Sequence, residues 1–223
     1  TVASFAGVAR MMLQAFNSYY ERMRADTDSD MPGFGTSVEN ISFALVLAED
    51  GTLRAVEDLR EQYGKKIRPR KMQVPAAEKK ASGIKANFLW DSTSYVIGLD
   101  DKGNQDRTDK CYEAFIAHVK QYCDETDVGI NAVLNFLERN EGKLVAERDD
   151  WEEICNSNLA FRLDGIPGYV HDRPAAQAGL RQYLNQSGAD VVGQCLVTGE
   201  KGQALARLHA CIKKVKGDLI LDG

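Results

Sequence analysis

The side chains whose type and spacing could do chemistry are concentrated in one stretch. From Lys65 to Lys85 the sequence carries Lys65, Lys66, Arg68, Arg70, Lys71, Lys79, Lys80 and Lys85 against a single acid, Glu78, a local net charge of +7. The whole chain carries −5, so its other 202 residues sum to −12. Cations at this density neutralise phosphates and release their condensed counterions, which makes the stretch a candidate footprint for nucleic acid. The competing reading is a solvated charged face. Ser82, Gly83, Asn87, Phe88 and Trp90 follow directly. They supply a flexible turn, an amide able to bond a base edge bidentately, and two flat rings on which bases could stack. Trp90 is equally suited to a core, since Trp is highly buried on average.

In an extended chain Lys66, Arg68 and Arg70 share one parity and leave the same face. Pro69 among them cannot donate to a ladder, which marks an edge strand or a bulge. A basic row on an edge strand beside a loop at 79–85 suits the floor of a nucleic-acid groove. Protection of that edge from aggregation is the other use, but one or two charges suffice for it. The candidate binding set is therefore Lys66, Arg68, Arg70, Lys71, Lys79, Lys80, Ser82, Lys85, Asn87, Phe88 and Trp90. The phosphate grip falls to the cations, and base edges to Ser82 and Asn87.

Other chemistries find little support. The sequence has no GxxxxGK[ST], HExxH, GxSxG or GxGxxG, so nucleotide hydrolysis, zincin and common hydrolase readings have no motif behind them. Its histidines are His118, His171 and His209, and its cysteines Cys111, Cys123, Cys155, Cys195 and Cys211 form no CxxC. Cys195 with His209 is the best metal pair, and two ligands do not close a tetrahedral site. His171 and Asp172 could pair as acid and base, but adjacent residues rarely converge on one substrate atom, so a structural turn is the better reading. No catalytic group, metal or cofactor is expected. An odd number of cysteines without disulfide spacing suits reduced thiols.

The elements that must position these residues follow from length and patterning. A chain of 223 residues, 43% hydrophobic and 27% charged, can bury a substantial core. Its apolar runs are too short to span a membrane and no signal sequence opens it, so a soluble, cytoplasmic protein is expected. Residues 1–10 read as a tag or leader outside the fold. The spacing of Met12, Ala15, Phe16, Tyr19 and Met23 predicts a helix to about residue 24. Ile41–Ala48 is apolar at both parities, as a central strand is, and Glu49-Asp50-Gly51-Thr52 turns it into a strand starting at Leu53. Residues 87–91 and then Tyr95, Ile97 and Leu99 read as strands. Helices are expected at 112–122 and 130–137, with the acidic stretch 147–153 connecting. Leu159, Phe161 and Leu163 alternate into Asp164-Gly165, with Tyr169 and Val170 returning as partner strand. Pro174 starts a helix running towards Leu184. A strand at 191–197 and a helix at 203–212 close the chain. Without regular βαβ alternation the class is α+β, a mixed, mainly antiparallel sheet flanked by amphipathic helices. Residues 11–223 form either one body or two lobes, 11–105 and 106–223.

In order, MMLQAFNSYYERM (11–23), ISFALVL (41–47), DLREQYGKKIRPRKMQVP (58–75), KKASGIKANFLWD (79–91), NLAFRLDGIPGYVHDRPAA (158–176) and GQCLVTGEKGQALARLH (193–209) resemble the amino-terminal part of the large subunit of the type I-C CRISPR surveillance complex, Cascade. The resemblance implies a subunit without catalytic activity. It would recognise the protospacer-adjacent motif of double-stranded target DNA and support R-loop formation while base pairing with crRNA reads the rest, a division of labour known in another effector. It also implies the crRNA-bearing Cascade subunits as partners, above all the one capping the crRNA 5′ end, and a recruited helicase-nuclease. Members of the family continue beyond the point where this sequence reaches ACIKKVKGDLILDG. The expectation is an excised amino-terminal domain or, alternatively, a truncated copy that docks on Cascade subunits as a decoy or regulator.

Overall fold

The computed structural model describes residues 2–26, 31–78, 80, 83–186, 192–195 and 197–204. In chain order, helix α1 (Val2–Ala25) precedes strands β1 (Thr36–Ile41), β2 (Phe43–Leu47), β3 (Leu53–Asp58), β4 (Glu61–Tyr63), β5 (Lys66–Arg68), β6 (Arg70–Pro75) and β7 (Trp90–Ser92). Helices α2 (Thr93–Val96), α3 (Gln105–Tyr122), α4 (Val128–Glu138), α5 (Lys143–Ala146) and α6 (Trp151–Ile154) come next. Strand β8 (Asn158–Leu163), a 3-10 turn (Val170–Asp172), α7 (Pro174–Gln186), β9 (Val192–Gln194) and β10 (Lys201–Ala204) follow. The class is α+β, with small, mostly antiparallel sheets.

The chain divides into two compact units, Arg22–Leu184 and the terminal segments Thr1–Glu21 with Asn185–Gly223. The larger unit is built on a four-stranded sheet of order β3-β2-β8-β7. Strand β2 pairs antiparallel with β3 and parallel with β8, Phe43 opposite Leu159 and Leu47 opposite Leu163. It can be central because both of its faces are apolar. Phe43, Leu45 and Leu47 join Leu159, Phe161 and Leu163 in one layer with the helical side chains Phe115, Ile130, Phe136 and Leu137. The Phe161 ring lies 6.2 Å from that of Phe115 and 6.1 Å from that of Phe136. Each such fully buried side chain stabilises the fold by about 1.5–3 kcal/mol.

The opposite face of the same sheet is lined by the small Ala44 and Ala160, against which Ile41, Leu59, Met72, Val74 and Trp90 pack. Met72 and Val74 belong to β6, which pairs only with β1. Because side chains alternate along a strand, burying Met72 and Val74 turns Lys71 and Gln73 outward. This second layer is what fixes the basic stretch on the surface.

Local chemistry sets the element ends. At the β2–β3 hairpin Gly51 has φ of 88°, and a Cβ there would lie 2.5 Å from Asn135 Cβ and 2.8 Å from the Ala132 carbonyl oxygen, so both the turn and its packing on α4 require glycine. Asn104 caps α3 by accepting from the Arg107 amide. Asp127 caps α4, accepting from the Gly129 and Ile130 amides, and also holds the Arg173 guanidinium through both carboxylate oxygens at 2.8 and 2.9 Å. The terminal unit carries the β9–β10 hairpin, and Gln14 donates to the Val197 carbonyl at 3.1 Å.

Several expectations are corrected. The first helix begins at Val2, inside the segment read as a leader, and continues to Ala25. Tyr95 and Val96 lie in the helical turn α2, not in a strand, and Ile97 follows it; all three are buried, a short apolar run that periodicity cannot assign. Strand β7 starts only at Trp90, because Leu89 sits in the left-handed region with φ of 59°. Tyr169 and Val170 do not return beside β8, whose two edges are already taken by β2 and β7, and Val170 opens a 3-10 turn instead. Trp151 to Ile154 form a helical turn within the acidic stretch. Residues 201–204 are strand, and the rest of the helix expected to 212 lies outside the described residues. The division into units does not fall at 105/106, since β8 is the parallel partner of β2.

Candidate nucleic-acid interface

After β3 the chain is tied down once more before it leaves the body. Leu59 is buried, and the Arg60 guanidinium lies 4.7 Å from the centre of the Phe43 ring while bonding the Asp58 and Glu153 carboxylates. Every residue from 61 to 71 is then exposed. Among the described residues, strands β4 and β5 pair only with each other, Glu61 opposite Arg68 and Tyr63 opposite Lys66. The two-residue loop Gly64-Lys65 places Gly64 at φ of 63°, as the first position of a type II′ turn demands. Pro69 stands where the chain leaves β4 as partner and takes up β1, a junction that does not need its missing N–H.

This ribbon carries Lys65, Lys66, Arg68, Arg70 and Lys71 against one acid, Glu61. Glu61 offsets Arg70, 3.7 Å away, in an exposed pair of little energetic weight. The Arg68 guanidinium lies 4.9 Å from the centre of the Tyr63 ring, and Tyr63 itself is 70% exposed. Four of the sequence-predicted residues, Lys66, Arg68, Arg70 and Lys71, are thus exposed along the consecutive strands β5 and β6. Lys85 is exposed on the loop before β7.

The remainder of the predicted set behaves differently. Lys79 and Ser82 lie outside the described residues. The Lys80 ammonium sits 2.6 and 2.7 Å from the two Asp91 oxygens and 3.8 Å from the centre of the Tyr95 ring. Asp91, 1% exposed, also accepts from the backbone amides of Asn87 and Ser92. Burial pushes its carboxyl above the usual range, and the Lys80 ammonium and these amides oppose that shift. Asn87 is buried, its Oδ1 accepting from the Glu78 amide at 2.9 Å, and the Glu78 carboxylate accepts from the Tyr183 hydroxyl. Phe88 is buried against His118 and Tyr183. Trp90 is 2% exposed, its indole N–H donating to the Pro75 carbonyl at 2.8 Å.

Against the base-edge and stacking roles expected of Asn87, Phe88 and Trp90, the structure places all three in the interior. Asn87 Oδ1 and the Trp90 indole N–H bond the backbone, the Phe88 and Trp90 rings each lie in one of the two core layers, and Lys80 is engaged by a buried carboxylate. They form a latch joining β6 to β7. The residue that sequence reasoning missed is Tyr63, with Lys65 beside it. Its only signal was a glycine in a two-residue gap between short polar and basic runs.

His171 is 1% exposed, stacked on Tyr169 at 5.4 Å, and its Nε2 lies 3.6 Å from Asp172 Oδ1, beyond hydrogen-bond reach. Burial lowers its pKa, with the Asp172 carboxylate opposing. The pair closes a 3-10 turn beside a cavity of about 650 Å³ whose walls include Phe34, Gln73 and Arg181. Among the described residues no three His, Cys, Asp or Glu side chains could share a metal ion, and no helix is long and apolar enough to cross a membrane. Cys111, Cys123, Cys155 and Cys195 are free thiols, while Cys211 and His209 lie outside the described residues.

Fold and surface together define an α+β protein that presents a cationic two-stranded ribbon on an acidic body. The chain belongs to the CRISPR-associated protein family Cas_Csd1, whose family model matches residues 16–219. This is the family of the type I-C large subunit. No individual curated protein matches the chain in sequence.

Proposed function

We propose that this chain binds target double-stranded DNA through the ribbon of residues 61–71 and recognises the protospacer-adjacent motif as part of the type I-C Cascade. One observation carries the reading: five exposed cations and one acid share a ribbon in a chain of net charge −5. Such a surface grips phosphates of any sequence, positions the protein on the duplex and leaves base reading to fewer contacts. Lys85, exposed before β7, is a further cation for phosphate, and Lys79 and Ser82, near it in sequence, are the candidates for base contact. Residues 11–223 act as the amino-terminal part of the large subunit, supporting R-loop formation and helicase-nuclease recruitment in the prokaryotic cytoplasm. Its neighbours there are crRNA-bearing subunits, first among them the one that caps the crRNA 5′ end. Its work is binding rather than covalent chemistry.

The test is Cascade assembled with the natural chain or with its Lys65/Lys66/Arg68/Arg70→Glu variant, challenged with target duplexes randomised at the motif. The reading expects both to assemble and only the natural chain to retain and enrich targets. Equal enrichment by both would overturn it. Assembly that instead blocks target binding would identify a decoy.

A further inference from the structure

We infer that Tyr63 is a stacking platform for an unpaired base, so that the β4–β5 hairpin, beyond gripping duplex phosphates, engages a base exposed where the duplex opens. The inference rests on the DNA-binding reading of the ribbon and adds to it the state of the DNA that the hairpin engages.

Tyr63 ends β4, and among the described residues the hairpin it belongs to pairs with no other strand. Tyr63 and Lys66 are directly opposed, and Arg68, of the same parity as Lys66, lays its guanidinium over the Tyr63 ring at 4.9 Å. The ring is thus held in orientation by a cation and remains 70% exposed. An exposed aromatic ring alone means nothing. A ring with a guanidinium on it and a second cation across the ladder has the two parts that single-strand binding sites combine, a π-face for the base and charge for its phosphate. Ile67, 58% exposed, puts one apolar side chain on the other face of the hairpin, opposite Gln62.

The structure of the partner then decides which DNA fits. Inside a duplex both faces of each base are covered by neighbouring bases, and Tyr63 has nothing to stack on. A base that has lost a neighbour, at a fork or in a displaced strand, offers an open face. The two-residue turn makes the tip small, and nothing lies within 4 Å of where a Cβ on Gly64 would stand, so the tip is free to approach one.

The experiment uses the full chain and four probes of one sequence: a single-stranded oligodeoxynucleotide, a blunt duplex, a forked duplex with unpaired bases, and the fork carrying 2-aminopurine. The natural chain should bind the fork more tightly than the blunt duplex and quench the 2-aminopurine. Tyr63→Ala should lose about 5- to 150-fold on the fork, the range that stacking on one base corresponds to. It should lose less than about twofold on the blunt duplex, with an unchanged salt slope because no phosphate contact is removed. Tyr63→Phe should behave as the natural chain. If Tyr63→Ala binds the fork normally while Lys66→Ala and Arg68→Ala weaken every probe, stacking is wrong and the DNA-binding reading stands. If none of the three substitutions alters binding, both fall.

Discussion

Replacing Asp91 by Ala removes the centre of the latch behind the ribbon without touching the ribbon. The carboxylate, 1% exposed, is bonded by the Lys80 ammonium and by the Asn87 and Ser92 amides. Its loss leaves two amide donors without that partner, at about 1–3 kcal/mol each, and a cation without its counter-charge. Lys80 keeps 30% of its side chain exposed and can turn towards water, so its share of the cost is the smaller one. The two amides together cost about 2–6 kcal/mol, a range that includes the cost of breaking other buried pairs on one side only. For a body of this size that lowers Tm by about 4–24 °C. Urea unfolding should show a reduced midpoint at unchanged m value, and DNA affinity per folded molecule should stay within about twofold. A cost below about 1 kcal/mol, or a loss of DNA binding in the fully folded variant, would refute the assignment of Asp91 and its partners to structure.

Trp90 should behave as a core residue: in a Trp151→Phe background its emission should be blue-shifted and unmoved by DNA, whereas a shift on binding would return it to the interface. The Asp127 carboxyl is held below its usual range, first by the hydrogen bond from Arg173. The folded state therefore gains stability from it above the unfolded value of about 3.8, and loses that gain as pH falls through the lower folded value. Asp127→Ala should cost about 1 kcal/mol or more at neutral pH through the lost cap and flatten the acid limb of the stability curve, and an unchanged limb would contradict this. Phe161→Ala should cost about 3–5 kcal/mol in chemical unfolding, since the ring is packed between Phe115 and Phe136 at the centre of one core layer.

What the sequence made legible follows from how local each signal is. Strand β2 was readable because residues 43–47 are apolar at both parities and the turn Glu49-Asp50-Gly51-Thr52 follows closely, as a short strand covered on two faces requires. Its turn, helices α3 and α4 and the proline start of α7 were likewise local. The shared parity of Lys66, Arg68 and Arg70 suggested one row on a single edge strand, and the structure instead breaks the row at Pro69, leaving Lys66 and Arg68 on β5 and Arg70 on β6 in a separate sheet. The pairing of β2 with β8 was not readable, because it joins residues more than a hundred positions apart. With β7 on the other side, that pairing leaves β8 no free edge, and Tyr169 goes into a turn. Asn87 and Trp90 misled for a related reason. Their side chains suit a base edge or a stacked base in the abstract, and only the tertiary positions of the Glu78 amide and the Pro75 carbonyl show those groups already satisfied. Beyond the neighbouring Gly64, Tyr63 gave little sign, since a lone Tyr between Gln62 and Gly64 acquires meaning only when Arg68 folds back over it.

The most direct measurement is the salt dependence of binding to a duplex carrying target motifs, by fluorescence anisotropy, for the full chain and for Lys66→Ala, Arg68→Ala and their combination. A ribbon that neutralises phosphates gives an affinity falling linearly with salt on logarithmic axes, with about 0.9 of slope per phosphate contact on B-form DNA. Each single substitution should weaken binding to all sequences alike and reduce the slope by about 1, and the double variant by about 2. A slope and affinity untouched by the double variant would contradict the claim that this ribbon is the DNA-binding surface.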